Sequence, residues 1–178
     1  MNFWKMKIVI SVILLTLVHV KAFTQRDLIR WNNNVKITWS DFKGKADVRS
    51  AFGAMSAVGI YYKYNSASKG KRYIIRFTIY SGFDKTKSWR RTRLLTMQML
   101  KHEQLHFDIA ELVSRAFKNE AEHTVYTENY KNEISRIFNR YTLFMQKLQR
   151  KYDVQTMHSN NKEKQKDWEN LIRQELLK

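Results

Sequence analysis

The stretch MLKHEQLHFDIAELVSRAFKNEAE, residues 99–122, decides how the rest of the chain is read. Its apolar residues recur at three- and four-residue steps: Leu95 just ahead of it, then Met99, Ile109 or Ala110, Val113 and Phe117. That period belongs to one face of an α-helix. His102 and His106 fall inside the same stripe, so two imidazoles point where the core should be. The spacing predicts a helix within about residues 87–122, capped by Asp84 or Thr86.

Working outward, the pattern changes on either side of this helix. Residues 35–39 (VKITW), 54–64 and 72–80 are rich in Val, Ile, Tyr and Phe with alternating faces, and the turn-like NSASKG at 65–70 joins the last two as a hairpin. Residues 40–44 (SDFKG) read as a turn or a single helical turn. After a break near residues 124–127, Ile134, Ile137, Phe138, Tyr141, Phe144, Met145 and Leu148 mark a second helix over about 128–150. An irregular stretch at 152–159 follows, and Asn160 with Glu163 three residues on caps a last helix carrying Trp168, Leu171, Ile172 and Leu176. Strands first and helices after make the class α+β: a small, mostly antiparallel sheet, a long helix, an antiparallel second helix and a C-terminal helix. Trp31, Trp39, Trp89 and Trp168 read as packing residues.

The chemistry lies in His102-Glu103-Gln104-Leu105-His106. Two histidines four apart on a helix can offer nitrogens to one metal ion, and a glutamate turned about 100° from the first can reach a water on that ion. That is the working arrangement of a zincin: zinc polarises the scissile carbonyl and acidifies the water, while Glu103 acts as general base. At this composition a chance HExxH arises in roughly one shuffled chain in a hundred or more, and its mid-helix place in the buried stripe argues further against chance. Two unpaired imidazoles on an apolar face are costly to bury, and metal ligation satisfies them.

A catalytic zinc takes three protein ligands and a water. Position 112 is Leu, which excludes the strict metzincin spacing. Glu120 and Glu122 lie roughly 20 Å along the same helix axis from His106. A second helix folding back antiparallel would deliver the 152–158 stretch near the motif, which makes His158 the candidate third ligand, with Asp153, Glu120 and Glu122 as fallbacks. Asp108 and Glu111 face away from the histidine pair; Asp153 or Asp108 could accept the outer N–H of a ligating histidine. Tyr152 reads as a packing residue, with an oxyanion donor as the alternative. His123 reads as a surface histidine of a helix end, and the 54–64 strand as core sheet, with an edge for an extended peptide as the alternative.

The 178 residues suit one domain. Residues 1–22, with Lys5, Lys7, an apolar run over 8–18 and Val20-Lys21-Ala22, have the build of a signal peptide, so the mature protein is expected to begin near Phe23, exported to the periplasm or beyond, with no membrane span left after cleavage. No cysteine is present, which excludes disulfides, thiolate zinc fingers and a lipoprotein anchor. There are 33 Lys plus Arg against 16 Asp plus Glu. The net +17 falls to +14 once Lys5, Lys7 and Lys21 are removed. The cations are spread along the chain rather than gathered in a nucleic-acid motif, so no specific nucleic acid is expected; an anionic envelope polymer is the partner such a field suits.

Trp31, then residues 37–44 (ITWSDFKG), then LKHEQLHFDIAE at 100–111, then YDVQTMH at 152–158 together resemble a bacterial family catalogued as domain of unknown function 922, described as secreted zinc-dependent peptidases. The resemblance implies a zincin-like fold, Zn2+ held by His102, His106 and His158, Glu103 as general base and a peptide or protein substrate. Where that family's later motif often has glutamate before the threonine and glycine after the histidine, this chain has Gln155 and Ser159. Two other functions stay open on the residues: a zinc amidase acting on cell-wall peptides, and a non-catalytic metal-binding envelope protein. An intact Glu103 favours an enzyme, because a pure metal holder needs no carboxylate beside the water.

Overall fold

A 27-residue helix, α1 (Met97–His123), is the axis on which everything else packs. The computed structural model describes residues 27–70, 72–91 and 95–178, so the proposed leader lies outside the described residues. Thr96 caps α1, its hydroxyl accepting the Met99 N–H at 3.1 Å. The helix therefore starts ten residues later than a Thr86 cap, and twelve later than an Asp84 cap, would place it. Asp84 caps a turn instead, its Oδ1 taking the Thr86 and Lys87 N–H groups.

Before α1 come β1 (Leu28–Arg30), β2 (Ala54–Met55), β3 (Val58–Lys69), β4 (Arg72–Asp84) and β5 (Trp89–Arg90). They form two antiparallel sheets, one ordered β1-β4-β3 and one pairing β2 with β5. The 65–70 stretch is not a loop. Its residues continue the β3–β4 ladder out to Lys69 opposite Arg72, and Gly70, at φ +63°, turns the chain. Residues 35–39, expected as a strand, lie in no sheet: Trp39–Asp41 is a single 3₁₀ turn. Ile37 is nonetheless buried, because the Gln104 carboxamide on α1 accepts its N–H at 2.8 Å and so replaces a neighbouring strand.

The motif helix sends a different residue to each layer. Phe107 packs with Phe83, Ile37 and Phe42; Val113 and Phe117 join Ile60, Ile134 and Ile137; Leu105 and Ile109 meet Tyr152, Trp168 and Ile172. Its outward polar residues bind the β layer as well. Asp108 accepts from Trp31 Nε1 at 2.8 Å and from Gln104 Nε2 at 2.9 Å, and Glu111 accepts from Ser81 Oγ at 2.8 Å. These bonds hold α1 in one rotation about its own axis. The two histidines therefore have a defined direction.

Beyond Thr124 the chain returns as α2 (Tyr130–Thr156), six residues longer at its C-terminal end than the apolar pattern suggested. No Gly or Pro occurs after Gly82, so nothing in the covalent chain stops the helix early. It ends on three consecutive left-handed residues, Met157, His158 and Ser159, at φ 49°, 49° and 75°. Such backbone costs of order 1–3 kcal/mol per residue and survives where its surroundings enforce it. Ser159 occupies a position that glycine would take without strain. Asn161 then caps α3 (Lys162–Leu176), accepting from Lys164 N at 3.0 Å, one residue later than the expected Asn160.

Gly44 marks where the early segment meets the 86–88 turn: a Cβ there would lie 2.8 Å from both the Thr86 and Ser88 carbonyl oxygens, which are backbone and cannot swing aside. Gly44→Ala is expected to destabilise the fold by roughly 1–3 kcal/mol, read as a lower Tm, while the comparable change at exposed Gly70 acts through its positive φ alone.

Candidate functional site

The return of α2 brings Tyr152 and Asp153 against the second turn of α1. Tyr152 is fully buried, its ring stacked on His102 at 4.5 Å between centroids and edge-on to His106 at 5.0 Å. Its hydroxyl faces the His102 carbonyl oxygen at 3.4 Å. Burial, and then the charge of Glu103, push that hydroxyl far above its ordinary pKa, so it stays a neutral donor. The packing reading of Tyr152 holds: a group sealed beneath the histidines cannot reach a reacting carbonyl.

Three donor atoms converge above this platform. His102 Nε2 and His106 Nε2 stand 3.2 Å apart, and Asp153 Oδ1 lies 3.1 Å from the first and 2.9 Å from the second. Donors on a tetrahedral zinc at about 2.0–2.1 Å stand about 3.3 Å from one another. The observed triangle is close to one face of such a shell. The donor set, two imidazoles and a carboxylate, is also one that zinc accepts. His102, His106 and Asp153 are accordingly the described residues that group as a possible metal site.

His158 is delivered to the same place, as the antiparallel return predicted, but less closely. Its Nδ1 is 3.6 Å from Asp153 Oδ1, its side chain is 44% exposed, and its ring packs on Phe52 at 4.3 Å. The left-handed turn directs it there, with the His158 N–H bonded to the Asp153 carbonyl at 3.0 Å. The inner third donor is thus Asp153, which the sequence offered as a fallback ligand or as a partner for an outer N–H. Asp153 meets the Nε2 atoms, on the side where a metal would sit. The outer atom His102 Nδ1 is buried without a hydrogen-bond partner, whereas the His106 ring has the Gln149 side chain beside it.

The remaining sequence candidates lie elsewhere. Glu120 pairs with Arg140 and Tyr141, Glu122 with Lys118, and His123 Nδ1 meets the Asn119 carbonyl at the end of α1. Asp108 holds Trp31, not a histidine.

Glu103 is buried on the cleft side of α1, and its Oε2 accepts from the Ser56 N–H at 2.9 Å and from the Ser56 hydroxyl at 2.5 Å. The cleft, of about 770 Å³, runs between the 51–56 segment and the two helices; Phe52, Met55 and Met99 give it apolar walls around His102, Glu103 and His106. Ser56 and Phe52 were not singled out from the sequence. Their partners lie tens of residues away, and no local period signals such pairings.

Charge reinforces the cluster. Burial raises the Asp153 carboxyl, but hydrogen bonds from His102 and His106 outweigh it and hold the group well below the ordinary carboxylate range. Burial opposes protonation of His106, yet the Asp153 bond and the Glu103 charge outweigh that in turn, and its pKa is raised.

A family model described as "Bacterial protein of unknown function (DUF922)" matches residues 81–159, from the end of β4 to the turn that carries His158. The match covers a little under half of the chain and includes His102, Glu103, His106, Asp153 and His158. Trp31 and residues 37–44 fall outside it. No curated protein and no solved structure gives a match.

Two outcomes follow from the geometry. Asp153→Ala should weaken zinc binding, measured by chelator competition, by at least as much as His158→Ala, because Asp153 stands nearer both Nε2 atoms. In the metal-free protein, the His106 share of the ion pair is full below about pH 6.5 and is lost as pH rises through its raised folded value, whereas the Asp153 share is present above about pH 4 and lost as pH falls. The stability difference between wild type and Asp153→Asn in chelator should therefore peak between those limits and shrink as pH rises through the raised His106 value.

Proposed function

We propose that this protein is a zinc-dependent peptidase of the zincin type, exported from a bacterial cell. The observation that carries the reading is the juxtaposition of the His102, His106 and Asp153 donors with the Glu103 carboxylate in one cleft. Zinc, when bound, would acidify a water and polarise a substrate carbonyl. His102, His106 and Asp153 would hold it, with His158 available from the cleft rim.

Glu103 supplies the base. Its Oε2 is occupied by Ser56, and no described residue donates to Oε1. Oε1 is therefore the atom that accepts the proton from the attacking water and hands it to the leaving amine. Tyr152 keeps the imidazoles from turning, since its ring blocks one face of His102 and its edge meets His106. Phe52, Met55 and Met99 exclude water around the scissile bond and favour apolar side chains beside it.

The base separates this function from mere metal storage, because a storage site has no use for a carboxylate aimed into an open cleft beside the ligands. The basic excess supports a substrate or envelope partner of acidic character. A cell-wall peptide amide falls within the same chemistry. Among the described residues no helix is long and apolar enough to cross a membrane.

The experiment is metal analysis paired with one variant. About one zinc per chain is expected for a single site. Glu103→Gln should keep that zinc while hydrolysis of a quenched-fluorescent peptide library falls by roughly 10²- to 10⁴-fold. A wild type that binds no zinc, or a Gln variant that cleaves as fast as wild type, overturns the reading.

A further inference from the structure

Ser56 stands at the junction between the cleft wall and the motif helix. It lies just past β2, in the two-residue link to β3, and its position is set from several sides. Arg91 N–H bonds the Gly53 carbonyl at 2.8 Å, β2 pairs with β5, the Ala57 N–H donates to Ser88 Oγ at 2.9 Å, and the Ala57 carbonyl accepts from Asp84 N–H at 2.8 Å. Ser88 is itself buried and bonded through Oγ to the Asp84 carbonyl at 2.7 Å. From this anchored link Ser56 places two donors, backbone and hydroxyl, on the single oxygen Oε2 of Glu103.

Two donors on one oxygen remove the freedom of a carboxylate that would otherwise rotate about its terminal torsion, which is broad for glutamate. Donors to an ionised carboxylate are among the stronger protein hydrogen bonds. With Oε2 held, Oε1 has one direction left. We infer that Ser56 is a positioning residue for the general base: its hydroxyl orients the Glu103 carboxylate so that Oε1, and not Oε2, meets the water. The inference rests on the peptidase reading and adds to it a link between the 51–56 wall, along which a substrate would lie, and the group that takes the proton. A substrate pressing on that wall bears directly on the base.

The test uses the full chain in four forms: wild type, Glu103→Gln, Ser56→Ala and Ser56→Thr. Each is measured for zinc affinity by chelator competition, for Tm, and for kcat and KM on fluorescein-labelled casein. Ser56→Ala is expected to keep zinc affinity within about twofold while kcat falls roughly 10- to 100-fold and KM moves little, the size that misplacing a reacting group by about 1 Å produces. Ser56→Thr, which keeps the hydroxyl, should recover most of kcat. A Ser56→Ala enzyme with wild-type kcat, a loss that appears only in KM, or a Thr variant as slow as Ala overturns the inference and leaves the peptidase reading intact. If wild type is no faster than Glu103→Gln, the peptidase reading fails. A crystal structure of zinc-loaded Ser56→Ala then decides the positioning role without activity. A Glu103 carboxylate that has rotated off its wild-type position supports that role, and an unmoved one overturns it.

Discussion

The contact between the Asp153 carboxylate and two helix-borne imidazoles is the constraint on which the site depends. His102 and His106 share a buried face of α1, where unpaired imidazole would be costly. The carboxylate that α2 brings to their Nε2 atoms supplies what the apolar stripe cannot. The same three atoms are spaced as ligands of one cation would be. A polar cluster that the core tolerates only when satisfied is thus the cluster that suits a metal.

Packing around this cluster leaves little freedom. Beneath it, Tyr152 is locked by Trp168 at 5.4 Å and by the helix it stacks on, so the imidazole planes are set by aromatic contact as well as by hydrogen bonds. Beside it, Asp108, Glu111 and Gln104 tie α1 to Trp31, Ser81 and Ile37, which settles the rotation of the helix. Gln104, Asp108 and Glu111 within HEQLHFDIAE therefore have structural duties. They place the histidines by holding the helix that carries them.

Above the cluster the fold is open. The 51–56 segment forms one wall of the cleft and the turn at 157–159 contributes to its rim, in three left-handed residues that the chain maintains without glycine. Strain stored at such a turn is acceptable where it aims a side chain, and here it aims His158 at the carboxylate of the helix it has just left.

Much of this was legible in the residues themselves. The four-residue spacing of His102 and His106, and Glu103 between them, determined the core of the candidate site, because on a helix that spacing alone sets which side chains share a face. The α+β order and the antiparallel return were legible for the same reason, each being written in a local period. The ends of elements were not: α2 runs on to Thr156, past the expected end near residue 150, because no Gly or Pro halts it, and in the expected 35–39 strand the Ile37 N–H bonds a side-chain acceptor on α1 instead of a neighbouring strand. Only tertiary structure decided that Asp153 is the inner donor and His158 the outer one, and that Ser56 holds Glu103. Those contacts join residues 51 and 47 positions apart, and such pairings depend on the summed packing of three layers, which no local pattern encodes.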